Sequence, residues 1–235
     1  MASLATTALR ALDAYGGAAR WRAATRIDLE LSAGGLAFLL KWQPALVRAP
    51  MVLSVHEPRV RCAGIDRADD IGVLEGGDVR LEAPDGRTLE SRRDARSSFG
   101  PGRRWLWWDR LDQAYFACYA AWNYFALPAL LLREDVRWTE PEPGRLEARF
   151  PAGFPTHGTV QGFRFDLRTG LLVQHDYTAE IIGGWARASR VVLEHGSHGG
   201  LTYPRLLRMT PRAGDGSPRR HPVLVAAEAH RFALG

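Results

Sequence analysis

Lysine is almost missing from this 235-residue chain. Lys41 is the only one among 31 basic side chains, so arginine carries the net charge of +5. The arginines are scattered and sit near Asp or Glu instead of forming a basic run, which argues against a nucleic-acid face. Cysteine is nearly as scarce. Cys62 and Cys118 alone cannot make a disulfide framework or a zinc site, and Cys118 sits in surroundings that suit a small buried hydrophobe. The sequence has neither a G-x-S-x-G elbow nor a phosphate-binding loop, and the Gly-Gly pairs starting at 16, 34, 76, 183 and 199 are placed as turns. The HGSH turn (His195, Ser197, His198) has no cysteine nearby and no metal-ligand spacing. No cofactor or metal is therefore expected. The opening MASLATTALRALDAYGG has no basic stretch ahead of a long apolar core, so a secretory leader is not expected and the cytoplasm is the expected location. With 46% hydrophobic and 24% charged residues the composition is that of a soluble globular protein, and one domain over 1–235 is expected.

The patterning is mostly that of β-strands. An initial helix is expected over 6–21, with Leu9, Leu12 and Tyr15 on one face and Gly16-Gly17 as the stop. The period then becomes two. Ile27, Leu29 and Leu31 alternate with Asp28 and Glu30. Phe38, Leu40 and Trp42 suggest a second strand, Met51, Leu53 and Val55 a third, and Val60 with Cys62 a fourth. Short strands follow at 71–73 and 79–81. Asp85-Gly86 between Leu81 and Leu89 is a hairpin signal. A helical insertion is expected at about 103–132, with its main helix over 103–127 and Asp109 and Asp112 near the positive end of the dipole. Pro128 ends or kinks it. Strand patterns resume with Leu146, Ala148 and Phe150, then Phe163, Phe165 and Leu167. Next come Leu171, Val173, His175 and Tyr177, and further strands over 185–193, 201–209 and 223–232. Ten or eleven short strands at this spacing suit an antiparallel meander.

The segment 114–132, AYFACYAAWNYFALPALLL, interrupts that meander. Asn123 is its one polar side chain outside the aromatics. A segment apolar on every side must be covered on every side, by lipid or by protein. It is close to the length of a membrane span. Asn123 and Pro128 lie within it, however, and charges at Asp109, Arg110, Asp112, Arg133, Glu134 and Asp135 crowd both ends. A helix lying in the concave face of a curved sheet is the better reading, with no integral membrane span. The expected fold class is α+β: a curved antiparallel half-barrel wrapped around a central aromatic-rich helix, with an N-terminal helix.

The opening LRALDAYGGAARWRAATRIDLEL, followed by meander, helical insertion and second meander, resembles the LolA/LolB-like lipoprotein-carrier superfamily. The resemblance implies an incomplete barrel closed by helices, with space between them for acyl chains. The stretch PTHGTVQGFRFDLRTGLLVQHDYTAEIIGGWARA, with the WNYF segment, is similar to a group of uncharacterised bacterial proteins and implies no activity.

Three functional readings remain open. The first is a binding module for an apolar or amphiphilic small molecule in a cavity between sheet and helix. The candidate contacts are Trp108, Tyr115, Phe116, Tyr119, Trp122, Asn123, Phe125, Phe163 and Phe165. Asn123 stands out because an amide in so apolar a stretch needs partners. The second is a cofactor-free cyclase, isomerase or hydrolase using the same cavity. His157, His175, Tyr177 and Asp109 would supply acid–base groups, since imidazole titrates near neutrality and a tyrosine can donate to a developing oxyanion. The third is an interaction protein whose core is full. Each polar candidate also has a plain structural role: a loop histidine bonded to backbone, a satisfied core pair, an exposed acid. Asp176, Thr178 and Glu180 are expected on the solvated face. Arg92, Arg93 and Arg96 are expected as a solvated cluster with Asp94, or as contacts to an anionic head group.

Overall fold

In the computed structural model, which describes residues 5–65, 69–100, 102 and 105–235, thirteen antiparallel strands form one open sheet. Helices α1 (Thr6–Ala14) and α2 (Ala18–Ala23) precede β1 (Arg26–Gly34). A short helix α3 (Leu36–Leu40) leads to β2 (Leu46–Ser54), β3 (Arg59–Ala63), β4 (Ile71–Glu75), β5 (Asp78–Glu82) and β6 (Thr88–Arg92). Then come α4 (Arg110–Phe125) and α5 (Leu127–Leu130). The return run is β7 (Arg137–Glu142), β8 (Arg145–Arg149), β9 (Val160–Phe165), β10 (Leu172–Thr178), β11 (Arg187–His198), β12 (Leu201–Pro211) and β13 (Val225–Leu234). The spatial order runs from β6 back to β1, then from β13 back to β7. The last strand therefore pairs with the first, Ile27 opposite Leu234, and the two meanders become one sheet with β6 and β7 at its free edges.

The sheet curves around α4, as expected for an α+β half-barrel. Fourteen of the sixteen α4 residues are buried. The helix starts at Arg110, later than the expected 103; residues 101, 103 and 104 lie outside the described set. Asp109 is its N-cap. Its carboxylate accepts from the Asp112 backbone N–H at 2.9 Å, and the Asp112 carboxylate accepts from that of Asp109 at 3.1 Å. Arg92 on the edge strand β6 bonds both, 2.7 Å to each, which neutralises the fully buried Asp112. Helix and sheet approach closely at Gly72 on β4. A Cβ there would lie 3.2 Å from that of Ala114 and 2.8 Å from Ile65, so a side chain at this position would press on both. No helix among the described residues is long and apolar enough to cross a membrane.

Four expectations need correction. The N-terminal helix is two helices broken at Gly16-Gly17, and Ala8, Ala11, Leu12 and Tyr15 form its buried face while Leu9 stays exposed. Phe38, Leu40 and Trp42 are not a strand: α3 buries Phe38 and leaves Leu40 and Trp42 in solvent. On β10 a register shift between Leu172 and Gln174 breaks the alternation, so Val173 faces outward while Leu172, His175 and Tyr177 face inward. The arginines after β5 find their partners elsewhere: Arg92 on α4, and Arg96 at Glu180 and the Thr156 carbonyl.

Candidate functional site

The segment before β9 is strapped against α4. Arg96 donates to the Thr156 carbonyl and to Glu180, both at 2.6 Å, and Glu180 in turn accepts from the Thr159 N–H at 2.8 Å. Gly158 is needed there, since a Cβ would lie 2.7 Å from the Thr178 carbonyl. The strap turns His157 inward, where it is fully buried. Its Nε2 lies 2.7 Å from the Tyr124 hydroxyl and its Nδ1 3.3 Å from that of Tyr119. Its ring stacks on Tyr177 at 3.9 Å, and the Tyr177 and Tyr124 hydroxyls are 3.2 Å apart. Burial, with Arg190 and Arg96 nearby, holds His157 well below the usual imidazole range. Burial raises the three tyrosines. The cluster is therefore neutral at neutral pH.

A second chain of hydrogen bonds runs through Asn123. Its amide nitrogen donates to the carbonyls of Tyr119 (2.7 Å) and Pro155 (2.9 Å). Its oxygen accepts from the Thr156 hydroxyl at 2.8 Å. The Gln161 amide nitrogen donates to the Gly158 carbonyl at 2.8 Å and to Thr156, which leaves the Gln161 oxygen as an acceptor 2.6 Å from His175 Nε2. The chain has one consistent direction, so His175 carries its proton on Nε2 and presents a lone pair on Nδ1. His175 stacks on Phe163 at 4.3 Å and is also held well below its usual range, by burial and by Arg190.

Arg190, on β11, completes the group. It is fully buried, its guanidinium carbon lies 4.1 Å from the centre of the Tyr124 ring, and no described residue bonds any of its three nitrogens. It is the cross-strand neighbour of His175 on one side and of Met209 on the other.

Beside this cluster lies an apolar cavity of about 50 Å³ between α4 and strands β1, β12 and β13. Phe116, Ala117, Ala120, Ala121, Tyr124 and Phe125 form its helix wall, and Phe38, Leu46, Leu207 and Met209 are among its other lining residues. A smaller cavity of about 10 Å³ lies on the far side of Tyr124 and Phe125, against Tyr15, Trp21, Leu172 and Tyr203.

Tyr119, Asn123, His157, Phe163, His175 and Tyr177 thus converge, while Phe116 and Phe125 line the larger cavity. Trp122 donates to the Ser54 carbonyl at 2.7 Å against β2. Trp108 packs on Phe99 and Phe116, and Tyr115 packs on Phe99 and Tyr119. Phe165 is a core residue of β9. Asp109 caps α4 and is tied to Arg92, away from the histidines. Asp176 and Glu180 lie on the outer face, Asp176 holding Ser189 and Gln174, Glu180 holding Arg96. Sequence reasoning missed Arg190, Gln161 and the alanine wall. Arg190 stands in phase with Ala188 and Val192, a cation on an apolar face. The alanines recur at one-turn spacing, i, i+3, i+4.

No protein-family model matches this chain, and no curated protein sequence matches it. Solved structures do. A LolA superfamily protein from Nitrosomonas europaea superposes over 100% of this chain and 94% of its own, with a TM-score of 0.53 at 11% identity. A DUF1329 family protein from Desulfovibrio piger covers 95% of this chain and 91% of its own, with a TM-score of 0.47 at 12% identity. The architecture is that of the LolA-like half-barrel.

Proposed function

We propose that the chain binds an apolar or amphiphilic small molecule between α4 and the concave face of the sheet. The observation that carries this reading is the alanine wall. Ala117, Ala120 and Ala121 hold the helix backbone against open space where larger side chains would have filled the core. A ligand-sized pocket is about 300–1,000 Å³, so the cavity of about 50 Å³ must widen on binding. Phe38 is the wall side chain best able to yield. It is carried by a helix of five residues, too short to hold itself by its own hydrogen bonds, beside exposed Leu39, Leu40 and Trp42.

The acid–base alternative has less support. Both ring nitrogens of His157 are already engaged by tyrosine hydroxyls, and Asp109 is held by Arg92 at the far end of α4. Titration with N-phenyl-1-naphthylamine, a neutral fluorescent apolar probe, tests the binding reading. The expected result is saturable, blue-shifted emission with one site per chain, abolished by Ala120→Leu. A wild-type protein that gives no saturable emission would overturn it.

A further inference from the structure

Arg190 is costly as a purely structural residue. A guanidinium is a fork of five N–H donors, and a fully buried one that bonds none of the described residues loses its hydration without compensation. Its ionisable neighbours are Tyr15, Tyr124 and Tyr177 with His157, His175 and His195, and none of them is an anion at neutral pH. Tyr15, for one, is pushed by burial up to about 12. The Tyr124 ring face offers a cation–π contact and nothing to the N–H donors. A second buried polar atom in the same cluster also lacks a partner among the described residues, Nδ1 of His175, the residue directly across from Arg190 on β10. The Gln161 bond fixes that nitrogen as an acceptor. The Arg190 guanidinium and the His175 ring thus both pack on one ring, Tyr124, which walls both cavities.

We infer that Arg190 and His175 together receive the carboxyl head group of an amphiphilic acid whose hydrocarbon tail lies along the alanine wall. The carboxyl group binds as the neutral acid, taking one proton from solvent as it leaves water: its two oxygens accept from the guanidinium fork and its O–H donates to the Nδ1 lone pair. Met209, the other cross-strand neighbour of Arg190, lines the larger cavity, so head-group site and tail channel adjoin. This inference rests on the cavity being a ligand site and adds the chemical class of the ligand.

Displacement of N-phenyl-1-naphthylamine by lauric acid, 1-dodecanol and dodecyl phosphate separates the two claims. Lauric acid should displace the probe at about 10- to 100-fold lower concentration than 1-dodecanol, the gain expected of a charge-assisted hydrogen bond. Arg190→Leu should bring that ratio close to one by weakening the acid and leaving the alcohol unchanged. Arg190→Lys keeps the charge without the fork and should lower the ratio several-fold, which covers the case in which the leucine variant does not fold. Equal displacement by acid and alcohol in the wild-type protein, or an undiminished ratio in Arg190→Lys, would overturn the inference while the binding reading stands. Tighter binding of dodecyl phosphate than of lauric acid would overturn the carboxyl assignment. A probe that never binds would remove the binding reading itself.

Discussion

The two flanks of α4 are built on different chemistry. Toward β2–β4, Ala114, Cys118 and Trp122 recur every four residues. Ala114 fits against Gly72, Cys118 lies near Cys62, and Trp122 reaches the Ser54 carbonyl. That flank is close and dry, and burial pushes the Cys62 thiol up to about 12. Toward β9–β12 the same helix meets histidines, tyrosines, a glutamine and an arginine, and the larger cavity starts at that cluster and runs along β12, β13 and β1. Apolar burial is indifferent to direction, so the dry flank can be packed for stability alone. A buried polar group must be matched bond by bond, and the few atoms left unmatched mark where a partner is wanted. The comparison locates function on one side of a single helix.

Truncation on the dry flank should give the largest effect. Trp122→Ala should cost about 3–5 kcal/mol, the usual range for emptying an aromatic core site. Urea unfolding measures it. A cost under about 1 kcal/mol would mean that the helix is not anchored on this flank.

Acid should act on the opposite flank. His157 and His175 are held neutral in the fold, well below the imidazole range, but regain a pKa of about 6.5 when unfolded. Below that value the unfolded chain takes up protons that the folded chain refuses, so stability falls as pH drops. At pH 5 the loss should reach up to about 2 kcal/mol for each histidine relative to pH 7, the limit for a ring that stays neutral in the fold. The slope between pH 7 and 5 should shrink by about that amount in His157→Phe and again in His175→Phe, even though each variant is less stable at pH 7. A slope unchanged by both substitutions would place the acid sensitivity elsewhere.

Removing a large side chain on the polar flank should have the opposite sign to Trp122→Ala. Arg190→Leu relieves an unpaired buried charge and should stabilise the ligand-free protein by about 1–3 kcal/mol. A loss of that size would mean that the contact with Tyr124 is structural, and the contrast between the flanks would weaken.

Much of this was legible in the sequence. Period-two runs marked most strands, and the apolar run at 114–132 marked the helix that the sheet must cover. The failures have physical causes. Leu39, Leu40 and Trp42 are exposed, so no burial pattern constrained them and α3 passed for a strand. The bulge in β10 inserts one residue, which reverses the facing of Val173 while His175 and Tyr177 keep theirs. The edge strand β7 is largely exposed and carries charges instead of an apolar face. Within the site, the convergence of His157, His175 and Tyr177 could be anticipated from their types. Arg190 was lost because arginine on a strand ordinarily points outward, although its phase with Ala188 and Val192 said otherwise. The cavity was lost because alanines in a helix read as propensity and not as missing volume.

The finest test makes one chemical change on the two flanks of α4. Leucine and alanine have similar helix propensities, so Ala→Leu at either position tests the space beside it and little else. At Ala120 the added carbons enter the cavity of about 50 Å³, and burying them should stabilise the protein by about 0.5–1 kcal/mol while excluding the apolar probe. At Ala114 they meet Gly72 and Ile65 on the closely packed side, where overpacking should cost about 1–3 kcal/mol. Opposite signs in the two denaturation midpoints would fix the helix as snug on one side and spacious on the other. Two losses of equal size would mean that the alanine wall borders no usable space, and the site would reduce to a hydrogen-bonded core.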